Sequence, residues 1–349
     1  MNKIENIKTL PHSRHWISFT LSMMLSACGG GGGGESNPSL APSKQTEASQ
    51  ATPSPHEFKV MLGDSNIIDS GISSHGMIRL SFDKNMAIST QNANAIQLID
   101  PDNGGILPAH IITPTADGRN IIVLPMKPLL SGKQYQIRIG TSVATQDNQR
   151  LTQAASLTFK TLAAEQDQPM GLANLGASCF INAALQLIVN QPSLRLAVLK
   201  QHPNQGFEAF FSAYDTRNAA QLEVELKKVV SYIRSLPHVP KTGPGSPHDL
   251  FAFDASGLNL NLDFIYPTMF QSIPAGPQSN YLLSMPISYA NIPKNSQLSG
   301  FTYFNNGHYT AYVKRNGRWY LADDSAIAEA RPQGLTAGPT SGIDTLSYQ

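Results

Sequence analysis

Close to residue 165 the apolar residues of this chain change their spacing, from alternation to the three-and-four step of a helix. One element cannot hold both periods, so the change divides the 349 residues into modules of different class. The length fits two domains plus extras. Before the change, short β-type runs occur at Phe58–Leu62, Met77–Phe82, Ala95–Ile99, Ala109–Ile112, Asn120–Leu124, Tyr135–Ile139 and Leu157–Lys160. Turn residues separate them, among them Asp83-Lys84-Asn85, Asp102-Asn103-Gly104-Gly105 and Ser131-Gly132. Ile78, Leu80 and Phe82 alternate with Arg79 and Ser81, which gives a strand one dry and one wet face. Seven short strands in about 105 residues predict an all-β sandwich. It holds no catalytic cluster, since His75 and His110 stand alone.

After a short polar linker at Glu165–Pro169, the glycines and Ser178 in Gly171–Ser178 read as a loop. Phe180, Ala183, Ala184, Leu187 and Ile188 then recur at helical spacing. Cys179 thus falls at a helix N-terminus, where the dipole and free backbone N–H groups favour a thiolate. Phe207, Phe210, Phe211 and Tyr214, then Leu222, Leu226, Val229, Val230 and Ile233, predict the core of a helical lobe. Phe264–Ala290 and Gly300–Ala322 predict strands of a facing half-barrel. Within the latter, Asn305–Val313 reads as one strand, Asn316-Gly317 as a two-residue hairpin turn, and Trp319–Ala322 as the return. Such a turn sets Arg315 opposite Arg318, hence Thr310 opposite Asp323 and His308 opposite Ser325. Asp323 then shares a sheet face with His308, one diagonal step of about 7–8 Å away. Asp324 points to the other face unless a bulge intervenes. A thiol, an imidazole and a carboxylate from distant segments are the parts of a cysteine-hydrolase site.

Composition excludes other classes. The net charge of +1 and the lack of any block of like charges exclude a basic nucleic-acid binder. Two cysteines, Cys28 and Cys179, exclude a disulfide scaffold and a four-thiolate zinc site, and no metal or cofactor is expected. Residues 1–27 read as an export signal: Lys3, Lys8 and Arg14, an apolar run from Trp16 to Leu25, then small residues before Cys28. Residues 28–56, opening on six glycines, have the composition of a flexible tether.

Three family resemblances sharpen this reading. Leu25-Ser26-Ala27-Cys28 resembles the lipobox of bacterial lipoproteins. It implies lipid on Cys28, a membrane anchor through that lipid and, with Gly29 next, an outer-membrane or cell-surface location. Arg79–Met86 and Leu129–Tyr135 resemble bacterial immunoglobulin-like domains, here expected over residues 57–163. Gly171-Leu172-x-Asn174-Leu175-Gly176-x-x-Cys179-Phe180-x-Asn182-x-x-Leu185-Gln186 resembles the Cys box of the ubiquitin-specific proteases. Gly307-His308-Tyr309-Thr310-Ala311-Tyr312, with Trp319-Tyr320-x-x-Asp323-Asp324-Ser325, resembles their His box. The resemblance implies an α+β papain-like cysteine protease domain over residues 168–349. It implies nucleophile Cys179, base His308, orienting Asp323, an oxyanion donor in Asn174 and an assisting Asp324. It further implies contacts to the substrate from Gly307 and Tyr309, and from Asp249 if Pro247–Leu250 is the family's acidic box.

The chain departs from that family in lacking the zinc-bearing fingers insertion, and in carrying Ala177-Ser178 before the thiol and Ala252 where the acidic box has Glu. Its compact form behind an Ig-like domain resembles the TssM-like deubiquitinases of bacterial pathogens. The implied partner is host ubiquitin or its conjugates, cut at an isopeptide or ester bond. Two other readings are a surface adhesin with an inactive papain-like lobe, and a cell-envelope amidase or acyltransferase on the same fold.

Overall fold

The computed structural model describes residues 58–87, 95–100, 102–114, 118–237, 239–251, 297–332, 335 and 341–348. The expected signal (1–27), Cys28, the expected tether (28–56) and the run Phe264–Ala290 lie outside the described residues. All described residues belong to one compact unit.

The first region is two four-stranded antiparallel sheets. One has the order β1 (Val60–Leu62), β2 (Ile78–Phe82), β6 (Asn120–Pro125), β5 (Ala109–Ile112). The other has the order β4 (Gly105–Leu107), β3 (Ile96–Asp100), β7 (Gln134–Ile139), β8 (Ala155–Lys160). Alternation works as read: Ile78, Leu80 and Phe82 are buried while Arg79 and Ser81 stay half-exposed. Strand β4 corrects the sequence reading, which gave Gly104-Gly105 to a turn and assigned no element to Ile106-Leu107. It is three residues long, with Ile106 60% exposed, so it has no buried face to announce it.

The second region is mainly helical, then a sheet. Helix α1 (Cys179–Val189) has all eleven residues buried, which places it at the centre of the core rather than on a surface. Around it lie α2 (Pro192–Gln201), α3 (Phe207–Asp215), α4 (Ala219–Ser235) and the one-turn α5 (Pro247–Leu250). Proline opens α2, where its missing N–H costs nothing. Asn218 caps α4 by accepting from Gln221 N at 3.1 Å. The sheet runs β12 (Ala326–Glu329), β11 (Arg318–Asp323), β10 (His308–Arg315), β9 (Leu298–Asn305), β13 (Ser341–Tyr348), all antiparallel. Val313 and Tyr320 join the same apolar cluster as the helices.

Within the polar linker Glu165, Gln166 and Gln168 are exposed, while Asp167 and Pro169 are buried. Asp167 is fully buried. It accepts from Ser73 Oγ at 2.9 Å, Ser74 N at 3.2 Å, Ser131 Oγ at 3.2 Å, Asn316 Nδ2 at 3.3 Å and Arg315 Nη1 at 3.4 Å. The serines belong to the sandwich, Arg315 ends β10 and Asn316 opens the turn after it, so this carboxylate is one of the groups that fasten the two regions together. His75 is likewise no isolated histidine: it is buried beside this network, 3.0 Å from Ser74 Oγ. Burial and the Arg315 charge lower its pKa to about 3. Alongside, Asp215 takes a bidentate pair from Arg195 at 2.6 and 2.7 Å and accepts from Met77 N at 3.0 Å. Met77, Ile112, Ile122 and Leu124 of the sandwich share the apolar cluster of the helices. A linker flanked by polar residues hides such burial because the partners of its carboxylate are remote in sequence.

Candidate active site

Cys179 opens α1, 5% exposed and with a free thiol. The loop before it is shaped by two left-handed residues, Gly176 (φ 81°) and Ala177 (φ 50°). Glycine takes the first without strain; Ala177 needs support from outside. Asn174 Oδ1 accepts from Ser178 N at 3.1 Å, and Leu175 N donates to Ser178 Oγ at 2.7 Å.

His308 and Asp323 come from the sheet. The Asn316-Gly317 turn has φ values of 49° and 77°, the type I′ hairpin in which both central residues are left-handed. It holds the register Arg315↔Arg318 through Ala311↔Ala322. His308 Nε2 stands 2.6 Å from Asp323 Oδ1, both side chains nearly half exposed. The sequence reading of one strand over Asn305–Val313 is corrected here. Asn306-Gly307 is a second Asn-Gly turn, φ 48° and 85°, so β9 ends at Asn305 and His308 starts β10 opposite it. The dipeptide signal is present in Asn305-Asn306-Gly307-His308, a stretch without an apolar residue, and joining it to the β-type run Tyr309–Val313 hid the turn.

Asp324 sits at φ 49° in the turn between β11 and β12. Its Oδ2 accepts from Asn174 Nδ2 at 2.8 Å and its Oδ1 from Asn182 Nδ2 at 2.7 Å. Its carbonyl accepts from Leu172 N at 2.8 Å. Asn182 Nδ2 lies 3.1 Å from both Leu172 O and Ala173 O. One turn beyond Cys179, Asn182 therefore ties the helix, the loop before the thiol and the Asp324 turn together. Gly171 completes the fit: a Cβ there would meet Ser325 O at 2.1 Å, so only glycine lets the two segments touch. Ala183 packs against Ala311 and Ala322, seating the first turns of α1 on β10 and β11.

Asn174 and Asp324 thus meet beside the turn of α1 that Cys179 begins, and His308 pairs with Asp323, the residue before Asp324; among the described residues no hydrogen bond joins His308 to the Cys179 thiol. Tyr309 is half-buried, its ring against Phe304 at 4.8 Å and its side chain on the apolar core. Gly307 is at the open hairpin tip, with nothing within 4 Å of an added Cβ. Asp249 lies in α5, which packs on α1, and its side chain is outside the described residues. His308, Asp323 and Asp324 hold ligand-type atoms within 4.8 Å of one another. Both Asp324 oxygens already accept amide N–H groups, however, which is the arrangement of a hydrogen-bonded clamp.

Reading the sequence missed Asn182 as a clamp, although it stands in the Cys box. It also missed Arg234 on α4. The Arg234 guanidinium donates to Gly176 O at 3.0 Å and Ala177 O at 3.2 Å in the loop before the thiol. Nothing in a basic residue near a helix C-terminus signals that contact.

Two families match this chain. The family described as bacterial Ig-like domain matches residues 66–161, and that described as ubiquitin carboxyl-terminal hydrolase matches residues 170–253. The second match holds Asn174 and Cys179 and ends before His308. No curated protein matches the chain. Among solved structures, domains 1–6 of the surface layer protein SbsC are similar at 12% identity and a TM-score of 0.25, over 34% of this chain and 14% of that one. Native alpha-2-macroglobulin from Escherichia coli, spanning domains MG0-NIE-MG1, is similar at 17% identity and a TM-score of 0.24, over 34% of this chain and 36% of that one. The chain therefore spans about a third or less of the length of these structures. In class, this is a sheet-rich, Ig-like region followed by a region like the ubiquitin hydrolases, which are cysteine proteases.

Proposed function

We propose that the protein is a cysteine hydrolase that cleaves after the C-terminal glycine of ubiquitin, with its helices and sheet arranged in the papain-like manner. The observation that supports this most is the 2.6 Å contact of His308 with Asp323, beside an Asp324 clamped to both sides of the α1 start. Asp323 on Nε2 holds the imidazole in one tautomer and leaves Nδ1 for the thiol. Cys179 gains from the helix N-terminus as a thiolate. Its sulfur attacks the scissile carbonyl, and the tetrahedral oxyanion is received by the backbone N–H of Cys179 and by Asn174. The Asn174 carboxamide has two N–H bonds, one given to Asp324 and one left for the oxyanion. His308 passes its proton to the leaving amine or alcohol as the intermediate collapses to a thioester. Water then attacks with His308 as base, releasing the ubiquitin carboxylate and restoring the thiol. Asp249, Gly307 and Tyr309 would line the approach of the ubiquitin tail.

The wider reading comes from the sequence: a TssM-like enzyme, exported and anchored through lipid on Cys28 at an outer membrane or surface, acting on a host's ubiquitin. The test is a ubiquitin probe carrying a C-terminal electrophile. Wild type should form a covalent adduct mapped to Cys179 and Cys179→Ala should not. A wild type that neither labels nor cuts any member of a panel of ubiquitin chains and ester conjugates would refute the proposal.

A further inference from the structure

We infer that Arg234 is a positioning residue for the oxyanion-binding loop, an inference that rests on the hydrolase reading above. Arg234 projects from α4 between two segments. Its Nη2 donates to Gly176 O at 3.0 Å and Ala177 O at 3.2 Å, and its Nη1 to Pro240 O at 2.7 Å and Gly243 O at 3.2 Å. Its guanidinium also lies over the ring of Phe180, 5.5 Å from the centroid, immediately after the thiol residue. Charge-assisted bonds of a planar fork to four carbonyls fix geometry in a way that a point charge cannot.

The consequence for the loop comes from peptide geometry. In a trans peptide the C=O and N–H point opposite ways. Drawing the Gly176 and Ala177 carbonyls toward Arg234 turns the amides of Ala177 and Ser178 to the other side. There Ser178 N–H meets Asn174 Oδ1 at 3.1 Å, which leaves Asn174 Nδ2 aimed at Asp324 and the reacting carbonyl. Arg234 also supplies the outside support that Ala177 needs at φ 50°. The segment after α4 that holds Pro240 and Gly243 also touches the residue after the thiol: a Cβ on Gly245 would lie 2.8 Å from Phe180 Cε2. Arg234 touches no substrate atom; it acts through the loop and Asn174.

The test is to compare Arg234→Met and Arg234→Lys with wild type and with Lys241→Met. Lys241 is a neighbouring cation that caps α4 by donating to Ser235 O and Leu236 O without reaching the loop. Ubiquitin ester and isopeptide hydrolysis, affinity for ubiquitin aldehyde, and the rate of Cys179 alkylation by iodoacetamide are measured. Displacing a catalytic loop by about 1 Å costs about 100-fold, so kcat of Arg234→Met should fall by about that factor with KM within about twofold. Aldehyde affinity should fall in parallel, because the hemithioacetal oxygen occupies the same hole. Alkylation needs no oxyanion and should stay within about twofold. Arg234→Lys should recover activity only in part, and Lys241→Met should match wild type. If Arg234→Met does not fold, the same comparison is read from Arg234→Lys. An Arg234 variant with wild-type kcat and aldehyde affinity, or one that loses alkylation as much as hydrolysis, overturns the inference alone. A wild type that binds no ubiquitin aldehyde overturns the hydrolase reading and this inference with it.

Discussion

Replacing Asp167 by Asn tests how much of the fold's stability rests on the carboxylate buried between the two regions. Asp167 and the Arg315 side chain are 0% and 1% exposed, so neither charge is screened by water. The nearest Arg315 nitrogen is 3.4 Å away; its Nε donates to Asn190 Oδ1, and its Nη2 finds no hydrogen-bond partner among the described residues. Removing the anion takes its ion partner from a buried cation, which costs about 3–5 kcal/mol. The new amide also turns an NH₂ group toward the hydroxyls and amides that the carboxylate accepted from. A fall in Tm of about 10 °C is expected for a unit of this size. The assay is thermal and urea denaturation in a Trp16→Phe background, read by the fluorescence of Trp319 on β11 and by far-ultraviolet circular dichroism, which reports on both regions. Both probes should shift together. Arg315→Met added to Asp167→Asn should restore about 2 kcal/mol relative to additivity, because the orphaned cation is gone. A single variant within about 1 kcal/mol of wild type, or strictly additive substitutions, would refute the reasoning.

Three further outcomes are expected. His75 is held neutral in the fold by burial and Arg315, with its pKa lowered to about 3. A histidine depressed on folding stabilises above its unfolded pKa and loses that contribution as pH falls, at about 1.4 kcal/mol per unit between about pH 6.5 and 3. The urea midpoint of wild type should fall over that window, and that of His75→Gln should be flatter; equal slopes would count against it. Gly171→Ala should push the Asp324-Ser325 turn away, destabilising by about 1–3 kcal/mol and lowering ubiquitin-ester hydrolysis by about 100-fold; retained activity would place the turn wrongly. Asn182→Asp sets a carboxylate against Asp324 and two carbonyls. The like charges raise the pair's pKa, so this variant should lose stability relative to wild type as pH rises, checked by thermal melts across pH.

Much of this architecture was legible in the order of residues because it depends on local rules. Alternation placed the strands of the sandwich, since a pleated strand has one buried face. Helical spacing after Ser178 placed α1, and a two-residue Asn-Gly turn leaves only one register for β10 and β11, which puts Asp323 on the face of His308. What stayed hidden depends on partners far apart in the chain. Asp167 read as linker because Ser73, Ser131 and Arg315 are distant in sequence. Asn182 and Arg234 read as a helix residue and a terminal charge, and their roles come from the carbonyls that folding carries to them. Backbone geometry acts over a few residues, so the order of residues alone sets the elements and the pairing across a tight turn. Which buried polar groups satisfy one another is settled only by the folded arrangement, because a buried donor must find its acceptor wherever the chain has brought one.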